Sequence, residues 1–162
     1  MQHKIIYSLL ENSSGNYNII LDRDGVINLN TGYAYVFEKM KINISLMNLL
    51  SKKRNKILSL HIATNQSGIA RGYFTGQEFI ENSQKLHDYL KLSNISLNSI
   101  YYCPHLPIDM CDCRKPNNGM LEAIIDDFSL TRSKTIFIGD APSDKEAAMR
   151  SNIKFRKSEY HE

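Results

Sequence analysis

Short, continuous runs of apolar residues recur along this chain, and each is followed by polar residues and then by an amphipathic stretch. The runs do not alternate apolar and polar residues, which is typical of strands in a parallel sheet that is covered on both faces. The pattern predicts strands at residues 17–21, 56–63, 100–102, 135–138 and 153–155.

Helical spacing of apolar residues marks the segments between these runs. It predicts helices at residues 44–54, 77–92, 120–128 and 144–150, with capping boxes at Thr75–Glu78 and Ser143–Glu146. Strands that alternate with helices indicate an α/β fold with a doubly wound parallel sheet. The length of 162 residues suits a single domain spanning residues 1–162.

Chemically distinctive residues follow four of the predicted strands. In doubly wound sheets the ligand lies beyond the carboxyl ends of the strands, so residues far apart in sequence are expected to meet there. The residues in these positions are Asp22, Asp24, Thr64, Asn65, Cys103, His105 and Asp140.

Asp22 and Asp24 lie two residues apart, directly after the first strand. A carboxylate can attack phosphorus and form an acyl phosphate, which suits Asp22 as a nucleophile. Asp24 would then protonate the leaving oxygen and later activate water. The alternative is a solvated turn, because Asp and Gly are common turn residues.

Asp140 follows the fourth strand and could join Asp22 in holding Mg²⁺, which prefers hard oxygen ligands. Asp144 either caps the next helix or supports the site indirectly. Thr64 opens a polar segment that continues through Asn65, Gln66, Ser67 and Gly68, where a hydroxyl and backbone N–H groups could hold phosphate oxygens. A plain polar turn is the alternative for that segment.

Three cysteines and one histidine lie close together in sequence. Cys103, His105, Cys111 and Cys113 provide the tetrahedral ligands of a structural Zn²⁺ site. The alternative, three free cysteines and a surface histidine, would leave three thiols in a polar loop with no core to bury them. Arg114 and Lys115 follow directly and could recognise phosphate groups.

Composition argues against several classes of protein. The formal net charge is only +3 and no run of basic residues occurs, so a nucleic-acid partner is not expected. No apolar run approaches the roughly 20 residues that span a bilayer. No secretory signal pattern opens the chain, and thiolate ligands suit a reducing compartment. We expect a cytoplasmic monomer that acts on a small anionic molecule.

Taken together, these residues resemble the four motifs of the haloacid-dehalogenase phosphatases. Asp22-Arg23-Asp24-Gly25, Thr64, Lys115 and Asp140 stand in the order of those motifs, and the resemblance runs from about residue 18 to 152. It implies that Asp22 is the nucleophile, Asp24 the acid/base, and Thr64 with Lys115 the phosphate ligands. It also implies Mg²⁺ on Asp22, the Asp24 carbonyl and Asp140.

Within that superfamily, the segment from Thr64 to Gly72 and the Arg114-Lys115-Pro116 sequence look like the heptose-bisphosphate phosphatases. This resemblance implies a sugar phosphate substrate, specifically a heptose 1,7-bisphosphate, in making precursors of bacterial lipopolysaccharide and related glycans. It implies Zn²⁺ on the Cys/His residues. It also implies substrate contacts from Asn30, Thr31, Gly32, Tyr33, Asn65, Gln66, Ser67 and Arg114.

Two alternatives remain at this stage. The short stretch from Cys103 to Cys111 is similar to that of the histidinol-phosphate phosphatases, which favours histidinol phosphate as a substrate. A zinc-bearing binding module without catalysis is the other, although every catalytic position is intact. No insertion long enough for a large cap domain separates the motifs, so we expect an open pocket.

Overall fold

The polar residues singled out above are carried by a parallel β-sheet. A computed structural model describes residues 16–29, 32–33 and 35–158. Within these residues, five strands pair in the order β3-β2-β1-β4-β5, and every pairing is parallel. The strands are β1 (Tyr17–Leu21), β2 (Ile57–Asn65), β3 (Ser99–Cys103), β4 (Thr135–Gly139) and β5 (Lys154–Lys157).

Four α-helices connect the strands of the described region: α1 (Ile44–Lys52), α2 (Gly76–Leu92), α3 (Gly119–Asp127) and α4 (Pro142–Arg150). The predicted elements therefore exist, with ends displaced by one or two residues at most positions. The Thr75–Glu78 capping box is confirmed, since each partner bonds the backbone N–H of the other.

The predicted box at Ser143–Glu146 is wrong. Helix α4 begins earlier, at Pro142, whose fixed φ suits the first turn of a helix. The side chain of Asp144 accepts a hydrogen bond from the Ala141 backbone N–H at 3.1 Å, and so satisfies a donor at the helix start.

The two faces of the sheet bury separate apolar clusters. Ile19 and Leu21 point to one face and pack with α1 and α2, whereas Ile20 between them points to the other face and packs with α3 and α4. Helices therefore cover both faces, and the predicted doubly wound α/β fold is confirmed. No helix of the described region is long and apolar enough to cross a bilayer.

The register of the strands brings the polar residues to one level. Leu21, the last residue of β1, pairs with Ile62 of β2 and Ile138 of β4. The Asp22 backbone N–H extends this ladder by donating to the Ile138 carbonyl at 2.9 Å. The carboxyl ends of β1, β2 and β4 consequently form a single edge.

Candidate active site and Cys/His loop

Lys115 lies at the centre of a buried ionic cluster. Its Nζ lies 3.0 Å from Asp22 Oδ1 and 2.7 Å from Asp144 Oδ1. The same Nζ donates to the Ala63 carbonyl at 2.9 Å, and the residue is only 3% exposed. Burial by itself lowers the pKa of Lys115, but the two carboxylates outweigh it, so the pKa stays above its ordinary value.

The backbone of Lys115 is fixed as tightly as its side chain. Asn65, at the end of β2, donates from Nδ2 to the Lys115 carbonyl at 3.0 Å and accepts from the Lys115 N–H at 3.1 Å. The side-chain amide of Asn65 thus makes the two hydrogen bonds with the Lys115 backbone that a neighbouring strand would make, although the two residues are 50 positions apart in sequence. This contact aims the lysine at the end of β1.

The surroundings of Asp22 shift the pKa of its carboxyl group. Its pKa is raised to about 7, mainly by burial; Lys115 lowers the pKa in part, and the Asp144 and Asp24 carboxylates raise it further. The pKa of Asp140 is also raised, by burial and by Asp144. Carboxyl groups with raised pKa values that face each other in a confined place indicate a site suited to a cation.

Oxygen atoms of Asp22, Asp140 and Asp144 all lie within 4.8 Å of one another, which fits a divalent cation. The Asp140 carboxylate leans over Gly25, where an added Cβ would lie 2.1 Å from Asp140 Oδ2. Gly25 also has φ +83°, a conformation that other residues rarely adopt. Glycine at this position thus allows the β1 loop and Asp140 to approach.

Asp144 does two structural tasks at once. One oxygen contacts Lys115, and Oδ2 accepts the backbone N–H groups of Asp140 and Ala141, each at 3.1 Å. The residue is 1% exposed. These contacts hold the Lys115 side chain and the Asp140 backbone in place.

Asp24 lies in a second polar network beside the first. Arg23 contacts its carboxylate through Nε at 3.1 Å and Nη2 at 2.7 Å. Asn28 donates to Oδ1 at 3.1 Å, and Gln66 donates to Oδ2 at 2.9 Å. Gln66 Nε2 also donates to Thr64 Oγ1 at 2.8 Å, so the network reaches the end of β2.

The residues expected to contact the substrate differ in their exposure to solvent. Tyr33 is half exposed, with its ring 4.5 Å from that of Tyr73. Gly32 is exposed and Ser67 partly buried; Asn30 and Thr31 lie outside the described residues. Arg114 is partly exposed and donates to the His105 carbonyl at 3.1 Å, which holds it at the border between the site and the Cys/His loop.

Cys103, His105, Cys111 and Cys113 form a compact cluster. Their ligand atoms all lie within 4.8 Å of one another. The Cys103 Sγ to Cys113 Sγ separation is 3.0 Å, and His105 Nδ1 lies 3.3 Å from Cys113 Sγ. Three sulfur atoms and one imidazole nitrogen that converge on one point fit tetrahedral Zn²⁺ with no open position for water.

Sequence reasoning missed two contributors. Arg23 and Asn28 are buried polar residues that bond Asp24. For Asp144 the sequence left open a helix cap or an indirect role in the site, and the structure shows contacts of both kinds. Arg23 and Asn28 carried no signal, because their side-chain directions depend on the loop path after β1.

Comparisons with known proteins show what this sequence and fold are similar to. Residues 18–161 match the model of the family described as polynucleotide kinase 3 phosphatase. A D-glycero-alpha-D-manno-heptose-1,7-bisphosphate 7-phosphatase of Campylobacter jejuni is 41% identical over 139 residues, covering 83% of this chain and 77% of that protein. A D-glycero-beta-D-manno-heptose-1,7-bisphosphate 7-phosphatase of Haemophilus influenzae is 34% identical over 145 residues, covering 86% of this chain and 79% of that protein.

Among solved structures, a D,D-heptose 1,7-bisphosphate phosphatase from B. bronchiseptica, complexed with magnesium and phosphate, superposes with a TM-score of 0.79. It is 29% identical, and the match covers 86% of this chain and 78% of that one. The chain therefore belongs to the polynucleotide kinase 3 phosphatase family and, within it, to the heptose-1,7-bisphosphate 7-phosphatases of haloacid-dehalogenase type.

Proposed function

We propose that this protein is a Mg²⁺-dependent phosphatase that removes the 7-phosphate of D-glycero-D-manno-heptose 1,7-bisphosphate, a step toward heptose precursors of lipopolysaccharide. The observation that carries the proposal is the Lys115 ammonium held between Asp22 and Asp144, at the point where Asp140 also converges. The heptose-bisphosphate phosphatases that the chain resembles supply the substrate class.

In the first step an Asp22 carboxylate oxygen attacks the 7-phosphorus while the bond to the sugar C7 oxygen breaks. Asp24 gives its proton to that oxygen, and Asp22 then carries the phosphoryl group. In the second step the Asp24 carboxylate takes a proton from water. The water oxygen attacks phosphorus, the bond to Asp22 breaks, and inorganic phosphate leaves.

Lys115 and Thr64 hold the phosphate oxygens during both steps. Thr64 Oγ1 lies at the end of β2, and the residue is 1% exposed, so its hydroxyl is fixed in place. Lys115 is a point charge that its two carboxylate partners keep protonated. Fixed positive charge that is aimed at a transferring phosphoryl group lowers the barrier without reorganisation.

Asp22, Asp140 and the Asp24 carbonyl would hold Mg²⁺. When bound, the ion neutralises phosphate charge and templates the in-line attack. Among the side chains of the two networks, four carboxylates (Asp22, Asp24, Asp140, Asp144) face two cations (Arg23, Lys115). This excess of negative charge would favour a divalent cation at the site.

The Cys/His cluster would hold a structural Zn²⁺ that fixes the loop leading to Arg114 and Lys115. Thiolate ligands stay reduced in the cytoplasm, which is where we place the protein. Arg114, held by the His105 carbonyl, would read the second phosphate of the substrate. The zinc loop thus contributes to recognition rather than to bond breaking.

To test the proposal, phosphate release is measured with Mg²⁺ on both anomers of heptose 1,7-bisphosphate, on histidinol phosphate and on p-nitrophenyl phosphate. We expect the highest kcat/KM for one heptose anomer, with the 1-phosphate retained in the product. Higher kcat/KM for histidinol phosphate would refute the substrate assignment. Lack of hydrolysis of all four compounds would instead favour a binding module.

A further inference from the structure

Arg23 is a buried cation that lies beside the site, in contact with Asp24 and Gln66. Its residue is 2% exposed, and its guanidinium lies 5.3 Å from the centre of the Phe79 ring. Burying a guanidinium is costly unless a carboxylate neutralises it with good geometry. Arg23 meets this condition with a two-point contact to Asp24, whose side chain is 26% exposed.

Gln66 completes this arrangement. The residue is 4% exposed. Its Nε2 donates to Asp24 and to Thr64, and its Oε1 accepts from Arg23 Nη2 at 3.2 Å. Both amide hydrogens and the amide oxygen are thus directed at protein groups. The side chain faces the Asp24 network, although the family resemblance assigns Gln66 to substrate contact.

We propose that Arg23 and Gln66 are positioning residues that aim the Asp24 carboxyl at the leaving-group oxygen and tie its orientation to the phosphate-holding hydroxyl of Thr64. This inference rests on the proposed function, because it assumes that Asp24 is the acid/base. Arg23 grips both oxygens of Asp24 from one side, and Gln66 joins Asp24 to Thr64.

The chemistry of the leaving group makes this role measurable. A sugar alkoxide is a poor leaving group and needs the proton that Asp24 delivers, whereas p-nitrophenolate leaves without one. A positioned general acid typically contributes about 10²–10⁴-fold to the rate. A misaligned Asp24 should therefore slow sugar phosphate hydrolysis and leave aryl phosphate hydrolysis nearly intact, which a merely structural defect would not do.

The experiment compares Gln66→Met and Arg23→Lys with wild type on heptose 1,7-bisphosphate and p-nitrophenyl phosphate. Gln77→Met, an exposed glutamine on α2, is the matched control. Asp24→Asn supplies the reference for complete loss of the acid. We expect each positioning variant to lower kcat on the heptose by roughly 30-fold or more and on the aryl phosphate by less than about 3-fold, with little change in KM.

Equal losses on both substrates, or no loss on either, would overturn the positioning role if Asp24→Asn is itself selective for the heptose. If Asp24→Asn is not selective, the acid/base assignment in the proposed function fails, and the inference fails with it. Gln66→Met removes no charge, so it carries the test if Arg23→Lys does not fold. Melting temperatures of all variants separate misfolding from misalignment.

Discussion

The carboxylate–lysine network and the Cys/His loop lie on the same edge of the sheet, but they are held there in different ways. The network joins residues from the ends of β1, β2 and β4 with Lys115. The buried Lys115 ammonium partly neutralises the buried carboxylates of Asp22 and Asp144. The Cys/His residues come from one short segment, and apolar side chains within it, Ile108 and Met110, are 79% and 88% exposed.

The comparison separates a network that is assembled from distant segments by the fold from a loop whose ligands are neighbours in sequence. Buried contacts among distant segments bring the residues of the network together. Cys103 is buried, and Cys111 and Cys113 pack against the same apolar cluster, but Ile108 and Met110 between them are exposed. Metal ligation would therefore add to the stability of this part of the loop. The two regions are in direct contact, since the Gln66 backbone N–H donates to the Cys103 carbonyl at 2.7 Å.

The largest effect is expected from Asp22→Asn. The amide keeps the shape of the side chain but cannot form the acyl phosphate, so kcat should fall by on the order of 10⁴-fold or more. Steady-state hydrolysis of p-nitrophenyl phosphate with Mg²⁺ measures this loss. Retention of more than a hundredth of wild-type kcat would show that the network is not the catalytic region.

Lys115→Met should strongly destabilise the protein. It leaves the Asp22 and Asp144 carboxylates buried without their shared cation, which costs about 3–5 kcal/mol in comparable cases. Urea denaturation without divalent cations measures the change in the free energy of unfolding. Lys85→Met, which removes an exposed pair with Glu38, should change that free energy by less than about 1 kcal/mol. Similar losses of unfolding free energy in both variants would contradict the view that Lys115 neutralises two buried carboxylates.

Removal of zinc should affect stability more than chemistry. We expect chelation, or Cys111→Ser, to lower the Tm by roughly 5 to 10 °C, since a domain of this size shifts by about 2–4 °C per kcal/mol. The kcat on p-nitrophenyl phosphate, measured below the melting range with Mg²⁺ restored, should stay within about threefold. An unchanged Tm after chelation would mean that the loop holds no structural metal.

The smallest effect is expected from a substitution at His61. It tests whether the loss of stability at low pH comes from the sheet or from loss of the metal. Its ring is fully buried on β2, with Nδ1 2.8 Å from Ser99 Oγ, and burial lowers its pKa to about 4. The unfolded state, with a pKa of about 6.5, binds more protons between these values. Stability therefore falls as the pH drops from 6.5 to 4.

His61→Phe should flatten this part of the pH profile in protein from which zinc has been removed. The ring lies 4.5 Å from Phe128, so an aromatic replacement keeps much of the packing. Urea denaturation between pH 4 and 7 gives the slope of the unfolding free energy. An unchanged slope would place the acid sensitivity elsewhere in the chain.

Much of this protein could be predicted from local sequence. Continuous apolar runs indicated parallel strands because both faces of the sheet are buried, and β1 and its two following aspartates were located to the residue. The Cys/His cluster was equally accessible, because its ligands lie within eleven residues and their chemistry is distinctive. Helix ends were less certain, and the start of α4 was misplaced because Pro142 begins the helix.

Sequence by itself determined the order of strands and helices along the chain, the positions of the candidate carboxylates and the Cys/His cluster, because each rests on neighbouring residues. Only the tertiary structure decided which partners those carboxylates have. Lys115 meets Asp22 and Asp144, and Gln66 meets Asp24, across long sequence separations. Such pairings follow from strand register and loop path, and no pattern within a short segment encodes them.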